Sequence, residues 1–336
     1  MSRLARRMQM LRVARGRSFD PDQHFIEAAL RGRTARKVRT HLRRLEPMVL
    51  TTPRWSKPQT FLEELALDLA VGEPAISCRT VSFRPLKGRR APEAWHFVLQ
   101  ILSQLCSDEW SDRPVPMVAG RNGFRTLALD LLMDAQERFS ERGSAVALLG
   151  HGAEYLPIEA LEDLSRVWSD FVRWYPTERR TTMLLAAAID VPSLVLEDAA
   201  RVPLADYGEA EAAAAIVGRS GLAERTPLES AARFSGGIPA IVDAVATGST
   251  GGVPRTRDGL VKAMGPLTDE IRSAVDIVRA DTWMSCRLDD LLSGEPLTEE
   301  PEVDDRLMMA GLLRRVRLPG EDRVMLRAPA IATLVN

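Results

Sequence analysis

Apolar positions along the chain follow two different periods. Leu4, Met8 and Leu11 recur at i, i+4 and i+7 among arginines, which predicts a short basic amphipathic helix. Further helices are predicted over residues 21–30 and 34–45, the second placing Val38, Leu42 and Leu45 on one face. From Pro47 onward, short apolar runs at 48–52, 75–83, 145–149 and 182–189 read as strands. Helical spacing separates them, at 61–69, 93–105, 125–142 and 158–174. The run Ala145-Val-Ala-Leu-Leu149 has no polar position, as expected of a strand covered on both faces. Strands alternating with helices predict a parallel, three-layer α/β sheet.

Beyond Val202 the strand pattern largely stops. Helices are predicted at 209–217, at 227–234 and from Pro239 to Val245, and Gly248-Ser-Thr-Gly-Gly252 has the composition of a linker. Three more helices, near 268–280, 288–292 and 303–313, precede a hairpin pairing 313–318 with 323–326. This last arrangement resembles a winged helix. The predicted organisation is a basic arm at 1–20, an α/β domain at 21–200, a helical lid at 201–250 and a winged-helix-like domain at 251–336.

Composition adds little to this picture and charge adds more. The 336 residues are 45% hydrophobic and 27% charged, ordinary for a globular chain. No apolar run approaches the roughly 18 residues a membrane helix needs. The first residues lack the apolar segment of a secretory signal. An arginine-rich, acid-poor start is also the pattern of a mitochondrial presequence, while the Ala and Arg usage suits a high-GC bacterial gene. Cys78, Cys106 and Cys286 are odd in number and far apart, and the four histidines have no ligand spacing, so neither a disulfide framework nor a zinc cluster is expected. A reducing cytoplasm is the expected compartment. Residues 1–45 hold twelve Arg and one Lys against three carboxylates, an excess of ten positive charges. With a net charge of −1, the remainder carries −11. Arg3, Arg6, Arg7, Arg12, Arg15 and Arg17 make the arm a candidate contact for nucleic acid, for an acidic neighbouring copy or for an anionic membrane face.

The chemistry-bearing segments are incomplete. A phosphate-binding loop of the form Gly-x4-Gly-Lys-Ser/Thr wraps phosphates with backbone N–H groups, pairs them with Lys and holds Mg²⁺ with the hydroxyl. After the first strand this chain has Thr51-Thr-Pro-Arg-Trp-Ser-Lys57-Pro58. Lys57 is in register. Thr51 and Ser56 replace the glycines, and Pro58 replaces the hydroxyl residue and removes an N–H. Thr60 offers a hydroxyl two residues later. The strand at 145–149 is followed by Gly150-His-Gly-Ala-Glu-Tyr-Leu156, with no Asp-Glu pair to organise a metal and activate water. The segment Thr181–Asp190 contains the second apolar strand predicted at 182–189, preceded by Arg179 and Arg180 and followed by the polar Asp190. Ser235-Gly-Gly-Ile-Pro239 is a turn leading into a helix.

Taken in order, these segments resemble the AAA+/STAND class of P-loop NTPases over about residues 22–336. The resemblance implies a parallel-sheet P-loop NTPase-like core with a helical lid and C-terminal winged-helix domain. It implies a degenerate nucleotide site at Lys57, Ser56 and Thr60, with Gly236, Gly237 and Pro239 as the lid loop and Asp190 near the sensor position. The departures fall on the chemistry and spare the scaffold. The expectation is a catalytically inactive scaffold, regulatory or assembly subunit. It would work beside an active ATPase or as a homo-oligomer, with no resident cofactor or metal, or with ATP or ADP held unhydrolysed. A bacterial defence, mobile-element or signalling system is the setting implied by analogy. One alternative is a DNA-binding adaptor using the arm and Arg314, Arg315 and Arg317 of the hairpin. Another is an active NTPase using Lys57, Thr60 and Glu154.

Overall fold

A computed structural model describes residues 31–71, 76–105, 118, 120–188, 196–220, 225–248, 252–293, 300–318 and 321–335. The basic arm, Asp190 and Cys106 lie outside the described residues, as do the helices predicted before residue 31. Among the described residues no helix is long and apolar enough to cross a membrane.

The described chain forms two compact units. The first gathers Gly32–Thr52 and Pro58–Leu204. It runs α1 (Gly32–Arg43), β1 (Met48–Thr51), α2 (Pro58–Val71), β2 (Ile76–Ser82), α3 (Ala91–Leu105), α4 (Arg121–Glu141), β3 (Ala145–His151), α5 (Ile158–Trp174), β4 (Thr181–Ala187) and β5 (Ala200–Pro203). Its five strands are all parallel, in the order β2-β3-β4-β1-β5. The α/β architecture predicted from the alternation is therefore present. The apolar runs become the most protected strands: every residue of β4 is buried, and all of β3 except His151. Helix α5 shows why the periodicity was readable. Leu161, Leu164, Trp168, Phe171 and Val172 recur on one buried face against the sheet core.

Asp163 departs from that pattern as a fully buried carboxylate on α5. Its Oδ1 accepts from Arg121 Nε at 2.5 Å and from Arg125 Nε at 2.7 Å, joining α5 to the start of α4. Asp163→Asn removes the charge that these donors share. It should lower stability by about 2 kcal/mol in urea unfolding, the scale of a charge-assisted hydrogen bond.

The second unit gathers Arg31, Pro53–Lys57 and Ala205–Asn336. It contains α6 (Glu209–Ser220), α7 (Arg225–Ser235), α8 (Pro239–Gly248), α9 (Arg257–Met264), α10 (Pro266–Arg279), α11 (Thr282–Ser293), α12 (Pro301–Met309), the antiparallel pair β6 (Leu313–Leu318) and β7 (Glu321–Leu326), and α13 (Pro329–Val335). The three helices and hairpin predicted at its end are present as α10, α11, α12 and β6–β7. The predicted boundary near residue 250 is not a division between cores. Val245 and Ala246 before it and Leu260 and Met264 after it belong to one hydrophobic cluster. Gly248 is not simply a linker residue: a Cβ there would lie 2.2 Å from the carbonyl oxygen of Ala263, so glycine is what lets the chain pass that close. A buried Arg287–Asp304 pair, at 2.7 Å, ties α11 to α12 within the same unit.

Candidate functional site: a closed loop after the first strand

In the first unit, β1 lies between β4 and β5, so its carboxyl end is where a parallel α/β sheet presents ligands. That end is tightly fixed. Thr52 donates both its N–H, at 2.8 Å, and its hydroxyl, at 2.9 Å, to the carbonyl of Ala187. Strand β3, on the far side of β4 from β1, ends in Gly150 and His151, and the resemblance puts an Asp-Glu pair either there or one residue on, at His151 and Gly152. A Cβ on Gly150 would lie 2.6 Å from the Phe83 ring and 2.8 Å from Leu185, both buried. The space a side chain would use is filled by apolar atoms.

His151 follows, with its pKa lowered by burial and only partly restored by Glu63. A histidine held neutral in the fold makes the unfolded chain the stronger proton acceptor. Its contribution is complete above the ordinary value of 6.5 and is lost as pH falls through that region. Stability measured from pH 7.5 down to pH 5 should therefore decline less steeply in His151→Gln than in the wild type. Equal slopes would remove His151 from the account. Glu154, the nearest carboxylate in sequence, accepts the N–H of Ala188 at 3.2 Å just past β4. It serves there as a backbone acceptor. Arg179 and Arg180 are half-buried, and the backbone around them is held by Gln136, which accepts from the N–H of Arg180 at 2.6 Å. Thr60 belongs to this unit, on α2.

Lys57 and Ser56 belong instead to the second unit. The chain leaves the first unit after Thr52 and returns to it at Pro58, the first residue of α2. Between them, residues 53–57 form a turn closed by a Ser56 N–H to Pro53 carbonyl bond of 3.2 Å. Three successive carbonyls of this turn are taken by donors of the second unit. That of Arg54 accepts from the Arg327 guanidinium, that of Trp55 from the N–H of Ala240 and that of Ser56 from Arg31. Trp55 is half-buried against the second unit's core, and its ring covers Gly311, where a Cβ would come within 2.9 Å. Trp55 and Lys57 both have positive φ, 63° and 49°, a conformation that side chains other than glycine adopt only when surroundings enforce it. Ser56 is buried, and its hydroxyl has no hydrogen-bond partner among the described residues.

Lys57 ends the turn in an ion pair with Asp243 of α8. The lysine side chain is 41% exposed and the carboxylate 17%. Sequence inspection did not anticipate Asp243. Its only signal is its position four residues after Pro239, on the helix that the lid loop opens. The glycines of that loop have a packing reason of their own. Gly236 and Gly237 have φ of 58° and 77°, and a Cβ on Gly237 would meet the Tyr207 carbonyl at 2.0 Å. Tyr207 N–H in turn donates to the Gly237 carbonyl at 2.9 Å. The structure thus brings Lys57 and α8 together through an aspartate.

A nucleotide does not fit this set of residues. The loop lysine is neutralised by a carboxylate. The first helical position is a proline without an N–H, and three carbonyls of the turn are taken by donors of the second unit. Among the described residues, no three His, Cys, Asp or Glu side chains are grouped to hold a metal.

No protein-family model matches the chain, and no curated sequence does. Solved structures do. The Walker-type ATPase of Pyrococcus abyssi superposes with a TM-score of 0.57 at 15% identity, covering 91% of this chain and 95% of that one. Cdc6p from Pyrobaculum aerophilum gives 0.46 at 13% identity, covering 91% and 92%. A STAND protein with a tetratricopeptide repeat sensor from Pyrococcus horikoshii gives 0.40 at 12%, covering 89% and 41%. At these identities the likeness is one of fold. The chain has the α/β fold of P-loop NTPases.

Proposed function

We propose that this protein is a catalytically inactive member of the P-loop NTPase fold, acting as a scaffold, regulatory or assembly subunit of the AAA+/STAND kind. The observation that carries this is the Lys57–Asp243 pair. The one phosphate-binding side chain left in the loop is held by an internal anion. The end of β3 supports it: neither Gly150-His151 nor His151-Gly152, the two registers for the Asp-Glu pair, carries a carboxylate for metal-assisted hydrolysis, and the space beside Gly150 is filled by apolar atoms. Nucleotide is then not a resident cofactor, and the partners in this scaffold role are proteins: other copies of the chain, or an active ATPase in the cytoplasm. Arginines of the hairpin also favour a protein-docking role over DNA reading for the winged-helix-like end. Arg315 pairs with Asp305 at 3.2 Å, and Arg314 is part-buried and directed to the Gly236 carbonyl at 3.5 Å. Arg317 has no described side chain.

Phosphate release from Mg-ATP, followed with the wild type and with Lys57→Ala, tests the proposal. The expected result is a background rate in both. Turnover in the wild type that Lys57→Ala abolishes would sink the proposal and restore an active NTPase with an atypical loop.

A further inference from the structure

The chain from residue 84 to 90 reads Arg-Pro-Leu-Lys-Gly-Arg-Arg, four cations and no carboxylate in seven residues. It follows β2 directly. Its body is rigid. Arg84–Leu86 form a 3-10 turn, with Leu86 N–H bonded to the Phe83 carbonyl at 2.9 Å and Arg89 N–H to the Leu86 carbonyl at 2.9 Å. Phe83 and Leu86 are buried and pin the turn to the sheet core, whereas Arg84, Lys87, Arg89 and Arg90 are all exposed. Arg89 reaches Glu93 at 3.1 Å, both largely exposed. Arg84, Lys87 and Arg90 have no ion-pair partner among the described residues. Glu154, on the adjacent turn, is bonded to the backbone of Ala188.

Fixed cations repel one another, and most of the excess negative charge of the chain lies elsewhere, so this turn is a local positive field on an acidic body. Its surroundings decide which anion it suits. Protein interfaces are organised around a buried apolar or aromatic centre. None of the large exposed hydrophobic side chains lies within 84–90. No aromatic residue is interleaved with the arginines to stack on unpaired bases. Three of the four cations are arginines, whose planar forks match phosphate oxygens. We propose that residues 84–90 form a sequence-independent contact for the phosphate backbone of duplex nucleic acid, with Arg84, Lys87 and Arg90 as its free cations. This surface is independent of the nucleotide-loop proposal above and of the N-terminal arm.

The test uses the full chain and the triple variant Arg84→Ala, Lys87→Ala, Arg90→Ala. Binding to a random-sequence duplex is measured by fluorescence anisotropy from about 50 to about 200 mM salt, a range over which each lost phosphate contact should reduce the slope of log K against log salt by about 0.9. The expected variant binds at least about tenfold more weakly at the lowest salt, with a slope shallower by about two to three. Its thermal melt should match the wild type, since the three side chains are exposed. Wild-type affinity and slope in the variant would overturn the proposal and leave any binding to the arm. So would a wild type that does not bind the duplex. So would a wild type that binds polyglutamate as tightly as DNA, since that would identify an acidic protein surface as the partner.

Discussion

Arg327→Leu should destabilise the protein by about 3–5 kcal/mol, the usual consequence of removing one member of a buried charge pair. The side chain is 1% exposed, and it grips Asp206 with two nitrogens, at 2.6 and 2.8 Å. Its third nitrogen donates to the Arg54 carbonyl in the turn before Lys57. Leucine fills part of the volume and leaves the Asp206 carboxylate and the Arg54 carbonyl without that donor. The loss should appear as a lower urea midpoint. Arg327→Lys should recover only a part, because an ammonium cannot span the carboxylate and the carbonyl as a planar fork does. A midpoint unchanged in Arg327→Leu would mean that the turn is not held from this side.

Gly150→Asp should have a still larger effect, more than roughly 5 kcal/mol, and yield little folded protein. This substitution places a carboxylate at the end of β3, at one of the two registers for the Asp-Glu pair. Its Cβ alone would overlap the Phe83 ring at 2.6 Å and Leu185 at 2.8 Å, and its charge would be buried among those apolar groups. Gly150→Ala separates the two causes. It carries the overlap without the charge and should cost about 1–3 kcal/mol. If Gly150→Asp gave soluble protein with a wild-type midpoint, the packing beside β3 would be no barrier to regaining the residue.

Much of the first unit was legible because its strands are apolar on both sides. The apolar runs at 145–149 and 182–189 read as buried strands, and β3 and β4 fall on them, with residue 189 outside the described residues. The edge strand β5 was not seen. Its sequence Ala-Arg-Val-Pro has only Val202 buried, which gives no usable alternation. Helix α9 was missed because Gly259 interrupts it, and α13 because seven residues that begin with a proline carry little periodicity. The degenerate loop itself was legible, since Pro58 and the missing Asp-Glu pair are visible in the residues. The partner of Lys57 was not. Asp243, Ala240 and Arg327 lie far from residue 57 in sequence, and no local pattern marks an aspartate as the partner of a distant lysine. The glycines at 236–237 suggested a lid loop. Their close approach to Tyr207 and to the backbone of 327–328 explains them by packing.

The account depends most on the turn at 53–57 being closed by contacts within its own unit. Titration of the wild type with ATP and with ADP, in the presence of Mg²⁺, tests this most directly by calorimetry. The predicted result is no saturable heat up to about millimolar nucleotide, with Lys57→Ala giving the same flat trace. Saturable binding with a Kd of about ten micromolar or below, lost in Lys57→Ala, would show that Lys57 leaves Asp243 for a phosphate and would contradict the account.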